Sequence, residues 1–264
     1  MTPRLDDLIE MARRAGEIIR KGYDQRHHIQ YKDEFDVVTE IDHQSENVIL
    51  EIIQSRFTDD YILTEESGTL GSERSRVWYI DPLDGTINFA HSIPYFGVSI
   101  AYAAEGTLQY GVIYQPLLDE LFSAERGKGA WMNGRSIHVS PAQRLNQTML
   151  ANEYSHLDEM IRLNHADVRY LNAHVQGIRR SGSCTVDLCY VAIGRYEGFW
   201  THHAHPWDFA AGGLIVQEAG GKVTNLSGGK DFLTPPCSIL AASAHLHPQL
   251  FEMLQESARL ASAG

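Results

Sequence analysis

Cysteine is scarce in this chain of 264 residues, and its three cysteines, Cys184, Cys189 and Cys237, include no C-x-x-C pair. An odd number of cysteines without that spacing disfavours both a disulfide framework and a structural zinc site. Cysteines used in this way are typical of proteins from a reducing compartment, so we expect the protein to be cytoplasmic.

Long apolar runs are also missing. No segment approaches the ~18 consecutive apolar residues that indicate a membrane-spanning helix. The first residues, MTPRLDDLIEMARR, carry acids and lack the uninterrupted apolar core of a secretory signal peptide. The sequence therefore predicts no contact with a membrane.

Basic residues are outnumbered by acidic ones. Lys and Arg total 22 against 34 Asp and Glu, which gives a net charge of −12. Such a chain is poorly suited to bind a nucleic-acid backbone, so we expect no nucleic-acid partner. If the protein handles a phosphate group, metal ions are the obvious source of positive charge. The 43% of hydrophobic and 21% of charged residues are ordinary for a globular protein, which excludes a disordered chain or a coiled-coil rod.

In the first half of the chain, the spacing of the apolar residues changes once. Apolar residues recur at three- and four-residue steps over 3–22 and 42–57, which predicts two amphipathic helices. Five strands are then predicted, over 61–64, 77–80, 96–103, 108–114 and 120–125. Asn133-Gly134 is a strong signal for a two-residue hairpin. We therefore expect two helices followed by a mostly antiparallel sheet.

The second half alternates strands and helices, which is typical of an α/β layer. The predicted elements are strands at 148–153, 196–200, 222–225 and 238–242, helices at 182–194, 208–219 and 248–261, and a loop at 201–207. The polar stretch 140–147 indicates the boundary between a domain of residues 1–145 and a domain of residues 146–264.

The most informative stretch is DPLDGTINF, residues 81–89, directly after a predicted strand. Asp81 and Asp84 can bind hard cations such as Mg²⁺ through oxygen. The amides of Gly85 and Thr86, at the start of a helical turn, can bind an anion. The alternative is a plain Asp-Gly turn in which Asp84 caps a helix.

Three further acidic segments support a site. Glu65-Glu66 follows a strand, Asp42 ends the segment FDVVTEID at residues 35–42, and Asp208 follows Trp207 at the start of a helix. Each has a structural alternative, because adjacent acids can form a solvated turn and Asp42 or Asp208 can cap a helix.

Together these segments resemble the motifs of the inositol monophosphatase family. DPLDGTINF is similar to its DPxDGTxNF signature, and WDFAAGGLIVQEAGG (207–221) is similar to its WDxAAGxxIxxEAGG signature. FDVVTEID resembles its DxVTxxD element, LTEES (63–67) its GEES-like element, and GSCTVDLCYVAIG (182–194) its substrate-pocket helix. The resemblance covers nearly the whole chain. It implies a five-layered αβαβα sandwich of the sugar phosphatase type, two or three Mg²⁺ ions, sensitivity to lithium, and a homodimer.

The resemblance also implies roles for individual residues. Metal ligands would be Glu65, Asp81, the Leu83 carbonyl, Asp84 and Asp208, with Glu66 and Asp42 at a weak third site and its water shell. The catalytic residues would be Glu65 and Thr86, which orient a metal-activated water for direct attack on phosphorus. Asp42 would be catalytic as well, because it would accept a hydrogen bond from the Thr86 hydroxyl. The substrate and its phosphate would contact Asp84, Gly85, Thr86, Gly182, Ser183, Cys184, Thr201 and Asp208.

The substrate side departs from the family pattern. Thr201 stands seven residues before Asp208, where inositol phosphatases usually carry a glutamate for the ring hydroxyls, and Cys184 stands where a small residue is common. We expect inositol 1-phosphate to be accepted without an overwhelming preference. Histidinol phosphate, fructose 1,6-bisphosphate, NADP(H) and 3′-phosphoadenosine 5′-phosphate, the substrates of sister groups, stay open.

Other functions compete with this interpretation. An aspartyl-phosphate phosphatase would need acids two apart, whereas Asp81 and Asp84 are three apart with Pro82 between them. His202, His203 and His205 suggest either a zinc site or the polar rim of the active site. Arg179-Arg180 can bind a substrate anion, join a subunit contact, or lie on a plain surface. Some relatives act as partners in transcription or ribosome maturation, so a regulatory protein–protein interaction is the alternative of another class.

Overall fold

The computed structural model describes residues 2–35, 37–155 and 157–262. Its helices are α1 (Leu5–Gly22), α2 (Glu40–Arg56), α3 (Thr86–Ala90), α4 (Asp158–Leu171), α5 (Cys184–Ala192), α6 (Pro206–Glu218) and α7 (His247–Ser262). None of these helices is long and apolar enough to cross a membrane.

The strands form two large sheets and one short pair. The pair is β1 (Gln30–Tyr31) with β2 (Val37–Val38). The strands of the first sheet are β3 (Asp60–Thr64), β4 (Gly68–Leu70), β5 (Glu73–Asp84), β6 (Gly97–Ala104), β7 (Thr107–Gln115), β8 (Glu120–Glu125), β9 (Gly129–Met132) and β10 (Arg135–Ser136). The strands of the second are β11 (Met149–Asn152), β12 (Gly177–Arg179), β13 (Gly198–Ala204), β14 (Gly221–Thr224) and β15 (Cys237–Ser243).

The first sheet has the order β10-β9-β8-β7-β6-β5-β3-β4 and is antiparallel except where β3 pairs with β5. The predicted hairpin is present, because Met132 pairs with Arg135 across Asn133-Gly134. The second sheet has the order β12-β11-β13-β15-β14 and is mixed, since β11 runs parallel to both of its neighbours. The mostly antiparallel first half and the α/β second half are therefore as predicted.

Successive side chains along a strand of the first sheet face two different layers of the fold. On β6, Ile100 and Tyr102 pack with α1 and α2, whereas Ala101 and Ala103 face the other way and join the core around α5 and α6. A side chain at Gly111 on β7 would lie 2.9 Å from the Ala211 carbonyl oxygen, so glycine lets α6 approach the sheet closely.

A third core packs α4 and α7 against the outer face of the second sheet. The layers therefore run α1/α2, first sheet, α5/α6, second sheet, α4/α7, which is the αβαβα sandwich that the resemblance implies. The polar boundary at 140–147 falls between β10 and β11. The division into two domains stays a prediction, because the core around α5 and α6 takes residues from both halves.

The structure corrects two expectations about the second half. Residues 201–204 belong to β13 and are not a loop, and the helix after them begins at Pro206. Helix α4 was not predicted, because the buried residues on it include Asn164 and Asp167, which break the apolar pattern.

Candidate active site

Four of the acids singled out by the sequence, Glu65, Asp81, Asp84 and Asp208, line one cavity of about 770 Å³ between the two halves of the chain, whereas Glu66 and Asp42 are not part of its lining. We call it the acidic compartment; its defining residues are Lys32, Glu65, Asp81, Asp84, Thr86 and Asp208. An adjoining space of about 730 Å³, the outer compartment, is defined by Phe35, Leu157, Cys184 and His203. Both compartments share Asp84, Ile87, Glu153, Tyr154, Gly182, His205 and Asp208.

Strand β5 carries Asp81 and Asp84 into the acidic compartment. The pairing of β5 with β6 shifts register between these two residues, and the Leu83 amide donates to Asp81 Oδ1 at 3.1 Å. Burial, followed by the charges of Glu65, Asp84 and Asp208, raises the pKa of Asp81 well above its usual value. Asp81 is therefore a carboxyl group whose ionised form needs positive charge nearby.

The turn after β5 depends on Gly85. Its φ of +90° favours glycine, and a Cβ there would lie 3.0 Å from the Tyr95 carbonyl oxygen and 3.1 Å from that of Gly182. Glycine thus brings the loop before α5 against the end of β5. Helix α3 begins at the next residue, so the amides of Gly85 and Thr86 lie at the wall of the cavity.

Thr86 and Asp42 form a buried pair. The Thr86 hydroxyl lies 2.9 Å from Asp42 Oδ1 and 3.0 Å from the Leu83 carbonyl oxygen. Asp42 Oδ2 accepts from the Thr39 amide at 2.8 Å and from the Thr39 hydroxyl at 2.6 Å. One carboxylate therefore caps α2 with one oxygen and faces Thr86 with the other. Asp36, at the start of that motif, lies outside the described residues.

Glu65 and Glu66 are held from two sides. Lys32 Nζ donates to Glu65 Oε1 at 2.9 Å and to Glu66 Oε1 at 2.7 Å. Behind them, the buried Glu46 accepts from the amides of Glu66 and Ser67. Burial and the charge of Glu65 raise the pKa of Glu66 to about 7, although Lys32 opposes the shift.

Sequence reasoning missed Lys32 and Glu46. Lys32 carries no motif signal. Glu46 stands four residues after Asp42 on α2, and this spacing places both acids on one face of the helix.

Asp84 and Asp208 approach the cavity from different halves of the chain. Asp84 Oδ2 accepts from the Thr185 amide at 2.8 Å and from the Ser183 and Thr185 hydroxyls. Asp208 Oδ2 accepts from the His205 amide at 2.6 Å, which caps α6. Burial raises the pKa of both carboxyls, and the charge of Asp84 adds to the shift at Asp208. Ser183 thus binds Asp84 and does not face the cavity.

The donor set suits Mg²⁺. Mg²⁺ is usually held by one or two carboxylates with water and substrate phosphate, and seldom by a cage made of protein alone. Among the described residues, no three Asp, Glu, His or Cys side chains are arranged to hold an ion by themselves, so water and phosphate oxygens would have to complete any Mg²⁺ site here. Burial and the neighbouring carboxylates raise the pKa of Asp81, Asp84 and Asp208, and a bound divalent ion would favour their charged forms.

Glu153, which sequence reasoning did not single out, lies where the two compartments meet. It directly follows β11. Its Oε1 accepts from the Gly182 amide at 2.7 Å, and Arg180 Nε lies 3.8 Å from Oε2. Burial raises the pKa of Glu153 to about 7, although Gly182 and Arg180 oppose the shift. The only indication of Glu153 in the sequence is that an acidic residue ends the strand predicted over 148–153.

Arg180 belongs to the cavity wall, where its guanidinium lies 4.5 Å from the centre of the Tyr154 ring. Arg180 is thus an exposed residue that also lines the cavity, and its binding of a substrate anion stays a prediction. Cys184, at the first turn of α5, lines the outer compartment, and burial raises its thiol pKa well above the usual value. All three cysteines are free.

The structure places Thr201 behind the cavity wall. The residue is fully buried, and its hydroxyl donates to the Glu153 carbonyl oxygen at 3.1 Å or to that of His203 at 3.3 Å. Thr201 therefore faces the protein and does not reach the substrate side, contrary to expectation.

The three histidines diverge. His202 Nε2 lies 2.6 Å from Asp167 Oδ2, whereas His203 and His205 rim the outer compartment. They do not form a zinc site, since no such cluster exists among the described residues.

Comparison with known proteins agrees with this geometry. The model of the "Inositol monophosphatase family" matches residues 2–259. The chain is 40% identical over 261 residues to "Nus factor SuhB" of Pasteurella multocida, and the match covers 97% of each chain.

Two crystal structures are also similar. The extragenic suppressor protein suhB from Bartonella henselae is 37% identical with a TM-score of 0.91, and the match covers 95% of this chain and 98% of the other. The inositol monophosphatase from Anabaena (Nostoc) sp. PCC 7120 is 39% identical with a TM-score of 0.86, and the match covers 96% and 95%.

Proposed function

The chain belongs to the inositol monophosphatase family, and from this premise we propose that it is a Mg²⁺-dependent phosphomonoesterase. Its substrate would be a small phosphorylated polyol or sugar, with inositol 1-phosphate first among them. One observation carries the proposal: Glu65, Asp81, Asp84 and Asp208, from three separate segments of the chain, line one cavity beside Thr86.

The proposed metal ligands are all oxygen donors: Glu65, Asp81 and the Leu83 carbonyl for one ion, Asp81, Asp84 and Asp208 for a second, and Glu66 and Asp42 for a weak third site and its water shell. When bound, Mg²⁺ would offset the charge of a phosphate dianion and make a water molecule more acidic.

The chain's own groups would orient the reacting water and the phosphate. Asp42 Oδ2 is held by Thr39, so Oδ1 is kept facing the Thr86 hydroxyl. When Thr86 donates its proton to Asp42, its lone pairs are free to accept one from water. Glu65 would hold the same water from the end of the neighbouring strand β3, and the amides of Gly85 and Thr86 would bind phosphate oxygens.

Phosphate release tests the proposal. We would assay inositol 1-phosphate, histidinol phosphate, fructose 1,6-bisphosphate, NADP⁺ and 3′-phosphoadenosine 5′-phosphate, each with Mg²⁺ and with EDTA. Release that requires Mg²⁺ is expected, with inositol 1-phosphate among the substrates. Full turnover in EDTA would overturn the metal dependence.

Direct attack by water has its own test. Hydrolysis in ¹⁸O-water should label the released phosphate once, and a chiral phosphorus should be inverted. Retention of configuration would require a covalent intermediate and would move the protein into the aspartyl-phosphate class.

A second function is supported by the relative from Pasteurella multocida. That protein is named a Nus factor, and its match to this chain covers 97% of both sequences. In this proposal the protein is a regulatory partner in transcription. The net charge of −12 favours a protein contact over a nucleic-acid contact. Complementation of a strain that lacks the gene separates the two functions: D84N should fail if hydrolysis is required and succeed if the interaction suffices.

Assembly is a separate proposal. Two copies are expected to associate, and sedimentation at micromolar concentration should give a mass near twice the 29.6 kDa of one chain. A mass of a single chain would contradict the homodimer.

A further inference from the structure

The residue that recognises the leaving group has not yet been assigned, and Glu153 is placed to do so. We infer that Glu153 accepts hydrogen bonds from the hydroxyl groups of a polyol leaving group and disfavours substrates that carry a second anionic group. The inference rests on the proposed function, since it names the substrate class of the same site.

The position of Glu153 carries the inference. Its side chain is only 14% exposed, yet it lines both the acidic compartment and the outer compartment. Asp84 and Asp208 line the same two compartments, so a leaving group that extends from a phosphate held near them into the outer compartment would pass Glu153. Carboxylate oxygens are strong acceptors for hydroxyl donors.

The carboxylate is held in place by its neighbours. Gly182 fixes Oε1 at 2.7 Å, and Arg180 lies 3.8 Å from Oε2, beyond hydrogen-bond distance. The Tyr154 amide also interacts with this carboxylate, and Glu153 lines the cavity, where a hydroxyl donor of the substrate would meet it. The Thr201 hydroxyl donates to the Glu153 carbonyl oxygen and so positions the residue from the neighbouring strand.

Strand register explains why Thr201 has this supporting position. β11 pairs in parallel with β13, and Asn152 stands opposite Trp200. The next residues along the chain are Glu153, just past the end of β11, and Thr201, inside β13, so these two residues lie side by side. A carboxylate therefore faces the leaving group from β11, while the hydroxyl on β13 supports it from behind.

Charge decides which leaving groups fit. Arg180 would attract a second phosphate, but the nearby carboxylate of Glu153 offsets that charge. Asp84 adds negative charge on the other side of Gly182. A neutral polyol with adjacent hydroxyls gains hydrogen bonds from Glu153, whereas a second phosphate is repelled by it.

The test is E153Q assayed at pH 8 with Mg²⁺ on three substrates: inositol 1-phosphate, fructose 1,6-bisphosphate and 4-nitrophenyl phosphate, which has no hydroxyl groups. We expect kcat/KM to fall about tenfold for inositol 1-phosphate, because a charge-assisted hydrogen bond becomes a neutral one. It should rise several-fold for the bisphosphate and change less than twofold for 4-nitrophenyl phosphate. E159Q, an exposed change on α4, is the matched control.

A double-mutant cycle tests the role of Thr201. T201V should lower kcat/KM for inositol 1-phosphate about threefold in the wild-type background and have little effect in E153Q, since both changes act through one carboxylate. Additive effects would show that Thr201 does not act through Glu153.

The remaining outcomes are decisive. An equal loss on all three substrates in E153Q would mean that Glu153 has only a structural role, and no change on any of them would mean that it does not meet the leaving group; either result overturns the inference. Absence of Mg²⁺-dependent release from all three substrates by the wild-type protein would instead overturn the proposed function, and the inference with it.

Discussion

The two walls of the cavity are built in different ways. Around the acidic compartment, Asp81, Asp84 and Thr86 come from one continuous motif in which Gly85 fixes the backbone. On the leaving-group side, Glu153 and Arg180 come from separate segments and meet only through the fold.

This difference separates the residues that would bind metal ions and phosphate from those that would select the leaving group. A site for metal ions and phosphate requires a fixed backbone, so it is encoded in short motifs with glycine. Recognition of the leaving group requires only that side chains stand at strand ends and in loops. Such side chains can change without disturbing the backbone, and they leave no motif.

The largest effect is expected from the acidic wall. D84N should lower kcat at least ~10²-fold, as does the loss of one electrostatic stabiliser in other enzymes. Phosphate release measures it, with D6N, an exposed change on α1, as control. Circular dichroism should show a folded protein, and a folded D84N with normal turnover would remove Asp84 from the site.

Metal-linked stability is the second test of this wall. If the acidic wall binds Mg²⁺ as proposed, the ion should stabilise the fold, because burial and neighbouring carboxylates disfavour the charged forms of Asp81 and Asp208 in its absence. At 100 times Kd the gain is about 2.7 kcal/mol. Thermal unfolding with Mg²⁺ or EDTA measures it, and D81N should abolish the difference. An equal Mg²⁺ effect in D81N would locate the ion elsewhere.

Thr86 should have a smaller effect. T86V removes the hydroxyl that donates to Asp42 but leaves every carboxylate in place. We expect kcat to fall about tenfold, the equivalent of one hydrogen bond of ~1.4 kcal/mol, with KM nearly unchanged. T86S, which keeps the hydroxyl, should restore most of the activity. Failure of T86S to do so would point to a packing role for the methyl group.

The smallest effect concerns pH and the leaving-group wall. The pKa of Glu153 is raised to about 7 by burial, with Arg180, Asp84 and Asp187 as the charged groups around it. Its acceptor form is the carboxylate, so kcat/KM for inositol 1-phosphate relative to 4-nitrophenyl phosphate should rise less than tenfold as pH increases through 7. The ratio should be independent of pH in E153Q. A wild-type ratio that falls as pH rises would contradict this assignment.

Much of the fold could be predicted because apolar periodicity determines it. The strands of the first sheet alternate between two cores, as β6 does. Helix α4 could not be predicted, since Asn164 and Asp167 face inward, where Trp200 and His202 both contact Asp167. Such polar contacts across the fold have no local pattern.

For the same reason, some residues of the candidate site could be predicted from the sequence and others could not. Asp81, Asp84 and Asp208 lie in motifs whose spacing is local. Lys32 reaches Glu65 and Glu66 from a loop more than thirty residues away, a contact that follows only from the folded chain. Thr201 was assigned to the substrate side from its sequence position, yet the pairing of β13 with β11 places it behind Glu153.

The layer of α5 and α6 between the two sheets has a consequence for motion. Its core includes Phe122 from the first sheet and Phe199 from the second, together with Phe209 of α6, all fully buried. A hinge motion that separated the two halves of the chain would expose these aromatic rings to water, at a large free-energy cost. The two walls are therefore held together by a shared core, and under the proposed function substrate would enter a cavity whose walls are already in place.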